Sequence, residues 1–507
     1  MAQELKSINL VAPGFKGINT EDAPLAQDPS FAETADNAVI DRRGRIAARK
    51  GLLVTTTDKT ELGTDYLSAI KEFRDNAGNT KIFSVGNNKI LSGTTTLVDE
   101  TPGSYTITSD QWKIVNFNDN IYFFQGGYEP LVYNNTSGAV VKLSTVAGAA
   151  GVTSSMYGNE VLAAYGRLWT ANFATDKSTV YWSDLLIGHD WSGGTSGSID
   201  ISKVWPDGYD EIVALSAHNN LLIIFGKHSI VVYSGADAPA TMQLSDTVSG
   251  IGCVDRDTIQ YTGSDVIFLS RTGLRSFGRT IQEKSLPISS LSATITKDII
   301  ARITAPNEIF KSAYYPEENF YLLTFVNANT TYCFDVRGTL ENGAYRVTRW
   351  PTSLFTCYER KTNGDLLIGS SSGIGSYSGY QDNGGSYRFK YFSPELSFGD
   401  PSKLKFLKKI RPTIVGGSGL GVSFKWDYDF GSSYNSTILE IDEHPIAEFG
   451  VDEFNVGQFS TGVLTSRYSI NTNGSGGSLS IGMEVEINGE QLSLQEINVL
   501  ALVGRTI

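Results

Sequence analysis

The sequence predicts an all-β protein, and three observations carry the prediction. Glycine and branched or aromatic residues dominate the composition, a turn–strand–turn–strand unit recurs through the middle of the chain, and the last strands alternate apolar with polar residues. Of 507 residues, 52 are glycine and 11% are aromatic, with Val, Ile, Thr and Tyr recurring in short runs. Branched and aromatic side chains fit a pleated surface, while glycine supplies the positive φ of tight turns. The length accommodates two or three domains. The pattern divides into an N-terminal arm (1–55), a central domain (56–384) and a C-terminal domain (385–507).

In the arm, Pro13, Gly14, Gly17, Pro24 and Pro29 interrupt regular structure. Ser30 and Glu33 have the spacing of a capping box, which predicts a helix over Phe31–Ile40. A basic turn, Asp41-Arg42-Arg43-Gly44-Arg45, precedes a strand candidate at Ile46–Leu53.

Seven strand pairs follow. They are Lys81–Val85 with Lys89–Leu91, Ile121–Phe124 with Leu131–Tyr133, and Arg167–Trp169 with Val180–Trp182. Next come Leu221–Phe225 with Ile230–Tyr233, and Val266–Leu269 with Leu274–Phe277. Phe320–Phe325 with Thr331–Phe334 and Leu366–Ile368 with Ile374–Tyr377 complete the series. Their spacing of roughly 40 to 55 residues is that of four-stranded propeller blades. Continuous apolar runs such as Leu221–Phe225 suit strands covered on both faces, which a closed ring of blades provides. The reading is a β-propeller-like core of six or seven blades. Leu291, Ile295, Ile299 and Ile303 recur every fourth residue and predict one helical interruption near Ser290–Ile303.

Beyond residue 385 the strands lengthen, at Tyr387–Phe392, Leu404–Val415 and Val422–Phe430, with Gly416-Gly417-Ser418-Gly419 as a turn. Ile481, Met483, Val485 and Ile487 alternate with Gly482, Glu484 and Glu486. Asn488-Gly489 is a hairpin signal, with a return strand expected over Leu492–Val503. This end reads as a separate β-sandwich.

Composition also bounds function. Lys plus Arg number 41 against 54 Asp plus Glu, a formal net charge of −13. A protein that grips nucleic acid needs an excess of cations for the phosphates, so the balance argues against a DNA binder. It is compatible with a wall past which DNA slides. Cys253, Cys333 and Cys357 are odd in number and widely spaced, which gives neither a disulfide framework nor a zinc pair. No apolar run reaches the ~18 residues of a membrane span, and MAQELKSINL lacks the features of a secretion signal. Assembly in a cytoplasm is the expectation.

Motif by motif, catalytic chemistry finds little support. His189, His218, His228 and His444 are scattered, although His218 and His228 bracket one hairpin and could approach across it. Gly417-Ser418-Gly419-Leu420-Gly421 precedes a strand, whereas a phosphate loop needs a following helix. Asp427, Asp429 and Gly431 imitate the start of a calcium loop, but Ile438 stands where the closing Glu belongs. A nucleophilic serine has no support. A propeller glycosidase needs only two carboxylates, yet Asp190-Trp191-Ser192-Gly193 is a mere fragment of the sialidase-type box. The expectation is a protein that is not an enzyme and needs no cofactor. Two basic clusters are the candidate partner contacts: Arg42, Arg43, Arg45, Arg49 and Lys50, and Lys403, Lys405, Lys408, Lys409 and Arg411. They could meet an acidic subunit or DNA phosphates. The plainer reading of the second is a solvated strand face, because Lys403 and Lys405 alternate with Leu404 and Phe406.

Several stretches are similar to the nozzle (tail tubular, tail hub) proteins of short-tailed bacteriophages. The opening Gly17-Ile18-Asn19-Thr20, Ala23-Pro24, Asn37-Ala38-Val39, Arg42-Arg43-Gly44 and Arg49-Lys50-Gly51 resembles theirs. So do Val180–Asp184, Phe225–Ile230, Gly252–Val254, Phe268–Arg275 and the close, Ile481–Val485 through Leu502–Arg505. The resemblance covers most of the chain on loose patterns. It implies a propeller core, a homo-hexameric ring around a genome channel, a place in the virion tail, and contacts with an adaptor ring above. It also implies fibres or a plug below, although the shorter chain puts fibre attachment in doubt. The competing expectation is a carbohydrate-binding or glycan-cleaving propeller.

Overall fold

In a computed structural model of the chain, residues 4–12, 14–103, 105–107, 111–283, 290–352, 354–442 and 465–506 are described. The fold is all-β, 49% strand against 6% helix. Among the described residues the α-helices are Phe277–Glu283 and Thr296–Ile303. Neither is long and apolar enough to cross a membrane.

All seven strand pairs read from the sequence are antiparallel neighbours, and six of them sit in four-stranded blades. Blade 1 is Leu67–Arg74, Thr80–Gly86, Lys89–Ser92 and Val98–Asp99. Blade 2 is Trp112–Phe117, Asn120–Gln125, Leu131–Asn134 and Ala139–Lys142. Blade 3 is Glu160–Ala164, Arg167–Ala171, Thr179–Trp182 and Gly197–Asp200. Blade 4 is Ile212–His218, Leu221–Gly226, Ile230–Ser234 and Gln243–Val248. A three-stranded wedge follows, Gln260–Tyr261, Val266–Ser270 and Gly273–Ser276. Blade 5 is Phe310–Tyr315, Phe320–Phe325, Thr330–Thr339 and Tyr345–Pro351. Blade 6 is Cys357–Arg360, Leu366–Ser370 and Gly373–Tyr377, completed by Leu52–Val54 from the other end of the domain. The fifth of the seven pairs thus forms the wedge, and the propeller has six full blades.

The ring closes through its first strands. Leu67–Arg74 packs on Trp112–Phe117, that on Glu160–Ala164, and that on Ile212–His218. A 3-10 turn, Arg256–Thr258, then takes the inner position of the wedge and bridges to Phe310–Tyr315, which leads through Cys357–Arg360 back to Leu67–Arg74. Blade 4 shows why the apolar runs are continuous. Leu222 and Ile224 pack toward blade 3 with Trp169 and Val180, while Ile223 and Phe225 pack toward the wedge with Val266 and Phe268. Both faces are dry, so every position is apolar. The hairpin tips are equally local. Asn87-Asn88, Asn118-Asp119 and Asn219-Asn220 all hold positive φ at both central positions, the two-residue turn that matches strand twist.

The helix expected over Phe31–Ile40 is not formed. Thr34–Asp36 pairs with Tyr387–Phe392, and Ala38–Ile40 pairs with Ile46–Ala48, with Asn37 at φ +51° between them. Sheet partners from distant sequence outweigh the local capping signal. The predicted strand at Ile46–Leu53 is two short strands in different sheets, and the helix near Ser290–Ile303 is confined to Thr296–Ile303.

The C-terminal strands make a sandwich, but not a separate one. One sheet runs from blade 5 through Thr34–Asp36, Tyr387–Phe392, Leu479–Ile487 and Gly421–Tyr428 to Asn435–Glu440. The other joins Ala38–Ile40, Ile46–Ala48, Leu492–Thr506 and Lys403–Gly416, with Glu4–Leu10 along Leu492–Thr506. The stretch read as an arm therefore supplies strands to both sheets and closes blade 6. Ile410, Ile414, Leu494 and Val499 of one sheet share a core with Phe389, Phe424, Ile481 and Met483 of the other. The hairpin expected at Asn488-Gly489 is also absent: its flanking strands lie in opposite sheets. That turn is tied instead to the 380–381 loop, with the Gly489 N–H donating to Tyr380 O at 2.9 Å and Gln381 Nε2 to Asn488 Oδ1 at 2.7 Å.

Candidate functional site

The two basic clusters are not continuous patches. In the first, Arg45 pairs with Asp41 at 2.7 Å and Lys50 with Glu318 at 2.5 Å. Arg42 is exposed and donates to Glu317 O, and Arg43 is exposed. Arg49 is wholly buried: its Nη1 and Nη2 donate to the two carboxylate oxygens of Asp382 at 2.9 and 2.5 Å, its Nε to Asn37 Oδ1 at 2.9 Å, and its plane lies 4.3 Å from the Tyr387 ring. It is a clasp between the N-terminal segment and the 380s loop, not a partner contact.

In the second cluster, the solvated-face reading fails for Lys405, which is buried and donates to Asp400 O and, at 2.6 Å, to Gly477 O. The register of its strand shifts between Lys403 and Lys405 and again between Leu407 and Lys409. Such irregularities re-aim side chains, so Lys405 points inward while Phe406 is half-buried. Burial pulls the Lys405 ammonium below its ordinary pKa. Lys408 and Arg411 remain exposed, Lys409 is half-buried, and Lys403 lies 3.3 Å from Asp400.

The other motifs resolve plainly. His218 and His228 stand at opposite ends of the six-residue strand Leu221–Gly226, about 20 Å of strand length apart, so they do not meet across the hairpin. His444 lies outside the described residues. Gly416, Gly417 and Gly419 take positive φ in a turn between sheets. Asp429 accepts from the Gly477 and Ser478 N–H groups at 2.7 and 2.9 Å. Asp190 accepts from the Ser192 and Gly193 N–H groups at 3.1 and 2.8 Å, a local turn. The three cysteines are free and buried, and among the described residues no cluster of ligands suits a metal.

The densest chemistry is at the propeller axis. Asp255 caps the 3-10 turn Arg256–Thr258 by accepting from the Asp257 N–H at 2.8 Å. Tyr321 donates its hydroxyl to Thr258 O at 2.6 Å, and Ser312 to Asp257 O at 2.6 Å, fixing the turn to blade 5. The turn aims Asp257 at Lys311 (2.5 Å) and Lys113 (3.9 Å), with Arg256 Nε 3.6 Å away. Blade 1 and blade 6 add Lys71 and Glu359, 2.9 Å apart, and blade 3 adds Glu160, to which the Leu215 N–H points at 3.4 Å.

Two cavities, of about 330 and 180 Å3, share Ser68, Asp257 and Lys311 in their walls. Burial pushes the Glu160 carboxyl up to about 7, and burial also raises Asp255 and Glu359. Burial acts on Asp257 in the same sense, but Lys311, Arg256 and Lys113 outweigh it and hold the group below the carboxylate range. Lys71, Lys113, Arg256 and Lys311 thus face carboxyls that burial pushes up, except Asp257, which its cationic neighbours hold down. The arrangement can hold protons on acids at neutral pH.

The sequence reading missed this site because it followed the apolar middle strands. Its signal lies in the strand before each hairpin, where charge interrupts an apolar stretch, as in LSAIKEFR, WKIVNF and FKSAYY.

No family model matches the chain, and no curated protein matches it. Solved structures match the chain at low similarity. The extracellular domain of a B. thetaiotaomicron one component system superposes with a TM-score of 0.43 at 10% identity, over 79% of this chain and 57% of that one. The corresponding domain of a hybrid two component system from the same organism gives 0.41 at 11%, over 68% and 45%. The chain thus spans about half the length of both. The Neurospora crassa Pan2 WD40 domain gives 0.37 at 9%, over 65% and 95%.

Proposed function

We propose that the chain is a structural subunit of a bacteriophage tail, of the nozzle type, six copies of which surround the genome conduit and join an adaptor ring to distal tail parts. One observation supports this reading above others. The ring of blades is stapled by Leu52–Val54 and continuous with the sandwich through one nine-stranded sheet, which makes each subunit a rigid block suited to a wall. The acidic balance fits as well: six copies carry six times −13, or −78, which discourages DNA from adhering to a lumen. An exposed apolar run in blade 3, Leu185-Leu186-Ile187, with Leu186 55% exposed, is a surface that subunit contact would cover.

Electron microscopy of the purified protein, with mass spectrometry of purified virions, tests the proposal. Six-membered rings and virion-bound copies are expected, and Leu186→Asp weakens the rings. A protein that stays monomeric and is missing from particles, or one that binds duplex DNA tightly at physiological salt, overturns it. A second reading, a carbohydrate-binding or glycan-cleaving propeller, has in its favour that Asp257 and Glu359 line one axial cavity with carboxyl pKa values pushed in opposite directions. Glycan-array binding or hydrolysis of aryl glycosides, lost in Glu359→Gln, would establish that reading instead.

A further inference from the structure

We propose that copies of this chain associate head to tail, the exposed apolar run of blade 3 in one copy meeting the outer face of the C-terminal sandwich in the next. The contact rests on the six-copy reading and names the two faces that meet in it. Leu185 is 50% and Leu186 55% exposed, and Leu186 holds φ +60°, a left-handed conformation that bulky side chains rarely adopt. The run is pinned in that shape: the Leu186 N–H donates to Gly166 O at 2.8 Å, and its carbonyl accepts from Asn118 Nδ2 at 2.5 Å. Two leucines are thus held in water by a fixed frame, a cost to folding that a contact removes. Charge beside them is negative. Asp119, next to Asn118, accepts from the Asn76 N–H at 2.8 Å and Asn135 Nδ2 at 3.2 Å, and Asp190 accepts from the Ser192 and Gly193 N–H groups. These donors are all neutral, so both carboxylates keep their charge.

The receiving face lies on the strands Lys403–Gly416, Leu492–Thr506 and Glu4–Leu10. Leu407, Ile410, Val499 and Ala501 point into the core, so by alternation Phe406, Leu500 and Leu502 point outward, beside Leu5, which is 57% exposed. Lys408 lies over the Phe406 ring, 5.9 Å from its centroid, and the exposed Arg411 follows on the same strand. Asp400 is paired with Lys403 and Glu496 with Arg467, which leaves Lys408 and Arg411 without an ion-pair partner among the described residues. Placement decides the mode. Around the ring, blade 3 stands opposite blades 5 and 6, to which the sandwich is joined, so the two faces occupy opposite ends of the subunit. Each face repels a second copy of itself, acid against acid or cation against cation, which disfavours a two-fold contact. Head to tail, the acidic apolar run meets the basic apolar face. Such a contact, repeated at a fixed rotation, closes a ring.

Sedimentation velocity of the full chain over a concentration series, with variants of each face, is the test. Leu186→Asp on one face and Lys408→Glu/Arg411→Glu on the other each weaken association by at least about tenfold and leave the urea midpoint unchanged. Should Leu186→Asp fail to fold, Leu186→Gly removes the side chain at a φ that suits glycine and carries the same expectation. Equal mixing of Leu186→Asp with the Lys408→Glu/Arg411→Glu protein restores one contact, because each supplies the face the other lacks, and yields a one-to-one pair and nothing larger. Variants that assemble like the parent, or a mixture that stays monomeric, overturn the contact, and rings that persist in those variants leave the six-copy reading standing on other surfaces. A parent that is monomeric at every concentration overturns the contact and the ring alike, and virion mass spectrometry then decides the tail reading by itself. Flotation of the parent with phosphatidylserine vesicles, lost in Lys408→Glu/Arg411→Glu, would assign the sandwich face to a membrane and overturn the contact as well.

Discussion

Arg49 offers the sharpest perturbation of the fold. Its guanidinium makes two charge-assisted bonds to Asp382, one to Asn37 and one to Lys50 O, and it faces the rings of Tyr387, Phe355 and Trp350 at 4.3, 5.1 and 5.8 Å. Arg49 is 0% exposed and Asp382 10%, so solvent screens the pair little. Arg49→Met keeps the aliphatic bulk and strands the Asp382 carboxylate. Breaking a buried pair from one side costs about 3–5 kcal/mol, and loss of the ring contacts falls within that range. Urea unfolding followed by tryptophan fluorescence reads the loss directly, because Trp350 packs beside the clasp. The double variant Arg49→Met/Asp382→Leu removes the stranded charge, so it is less damaging than the sum of its parts by about 1–3 kcal/mol. An Arg49→Met protein within about 0.5 kcal/mol of the parent, or strictly additive variants, would refute the clasp.

Glu160 has its folded pKa raised from 4.5 to about 7, so the native state holds more protons than the unfolded chain between those values, and stability falls as pH rises through the window. At about 1.36 kcal/mol per pKa unit the loss is about 3 kcal/mol, and urea midpoints from pH 4 to 8 should lose that slope in Glu160→Gln. Gly51→Ala places a Cβ 1.9 Å from Gln381 O, which displaces the strand closing blade 6. The expected cost is about 1–3 kcal/mol or more, with faster proteolysis near residue 52, and a parental melting temperature would contradict it. Tyr321→Phe removes the 2.6 Å bond to Thr258 O and leaves a buried carbonyl unpaired. A loss of about 1–3 kcal/mol is expected in urea unfolding, and none if water replaces the hydroxyl.

The propeller was legible because its signals are local. Apolar runs, Asn-rich tips and regular spacing are properties of one hairpin at a time, and all seven pairs form where the sequence places them. The errors share another cause. Thr34–Ile40 leaves its capping signal, and Asn488-Gly489 joins two sheets instead of one hairpin, because the deciding partners come from remote segments, Tyr387–Phe392 in the first case and Tyr380-Gln381 in the second. Lys405 was misread for a subtler reason. Strict alternation assigns it to solvent, but the register shift between Lys403 and Lys405 reverses the assignment, and nothing in the local sequence marks it. Arg49 and the axial charges escaped in the same way: a charged residue in a linear sequence says nothing about which buried partner awaits it.

The axial charges also bear on how a genome could pass such a protein. The inner strands spend their charges on one another, with Lys71 on Glu359 and Lys311 on Asp257, and leave cavities of about 330 and 180 Å3. A duplex whose major groove alone is about 12 Å wide does not enter such spaces, so the bore of a single propeller is no conduit. The nozzle proposal therefore places the channel between subunits, lined by outer surfaces. Lys71, Lys113, Arg256 and Lys311 stand at the axis among the carboxyls of Glu359, Asp257, Asp255 and Glu160, so the axis is formally neutral and the exterior keeps the net −13 of the chain, which is what passing DNA would meet. Opening the axis by Lys311→Met should leave DNA retention by assembled rings unchanged, whereas new lysines on the ring's inner surface should increase it.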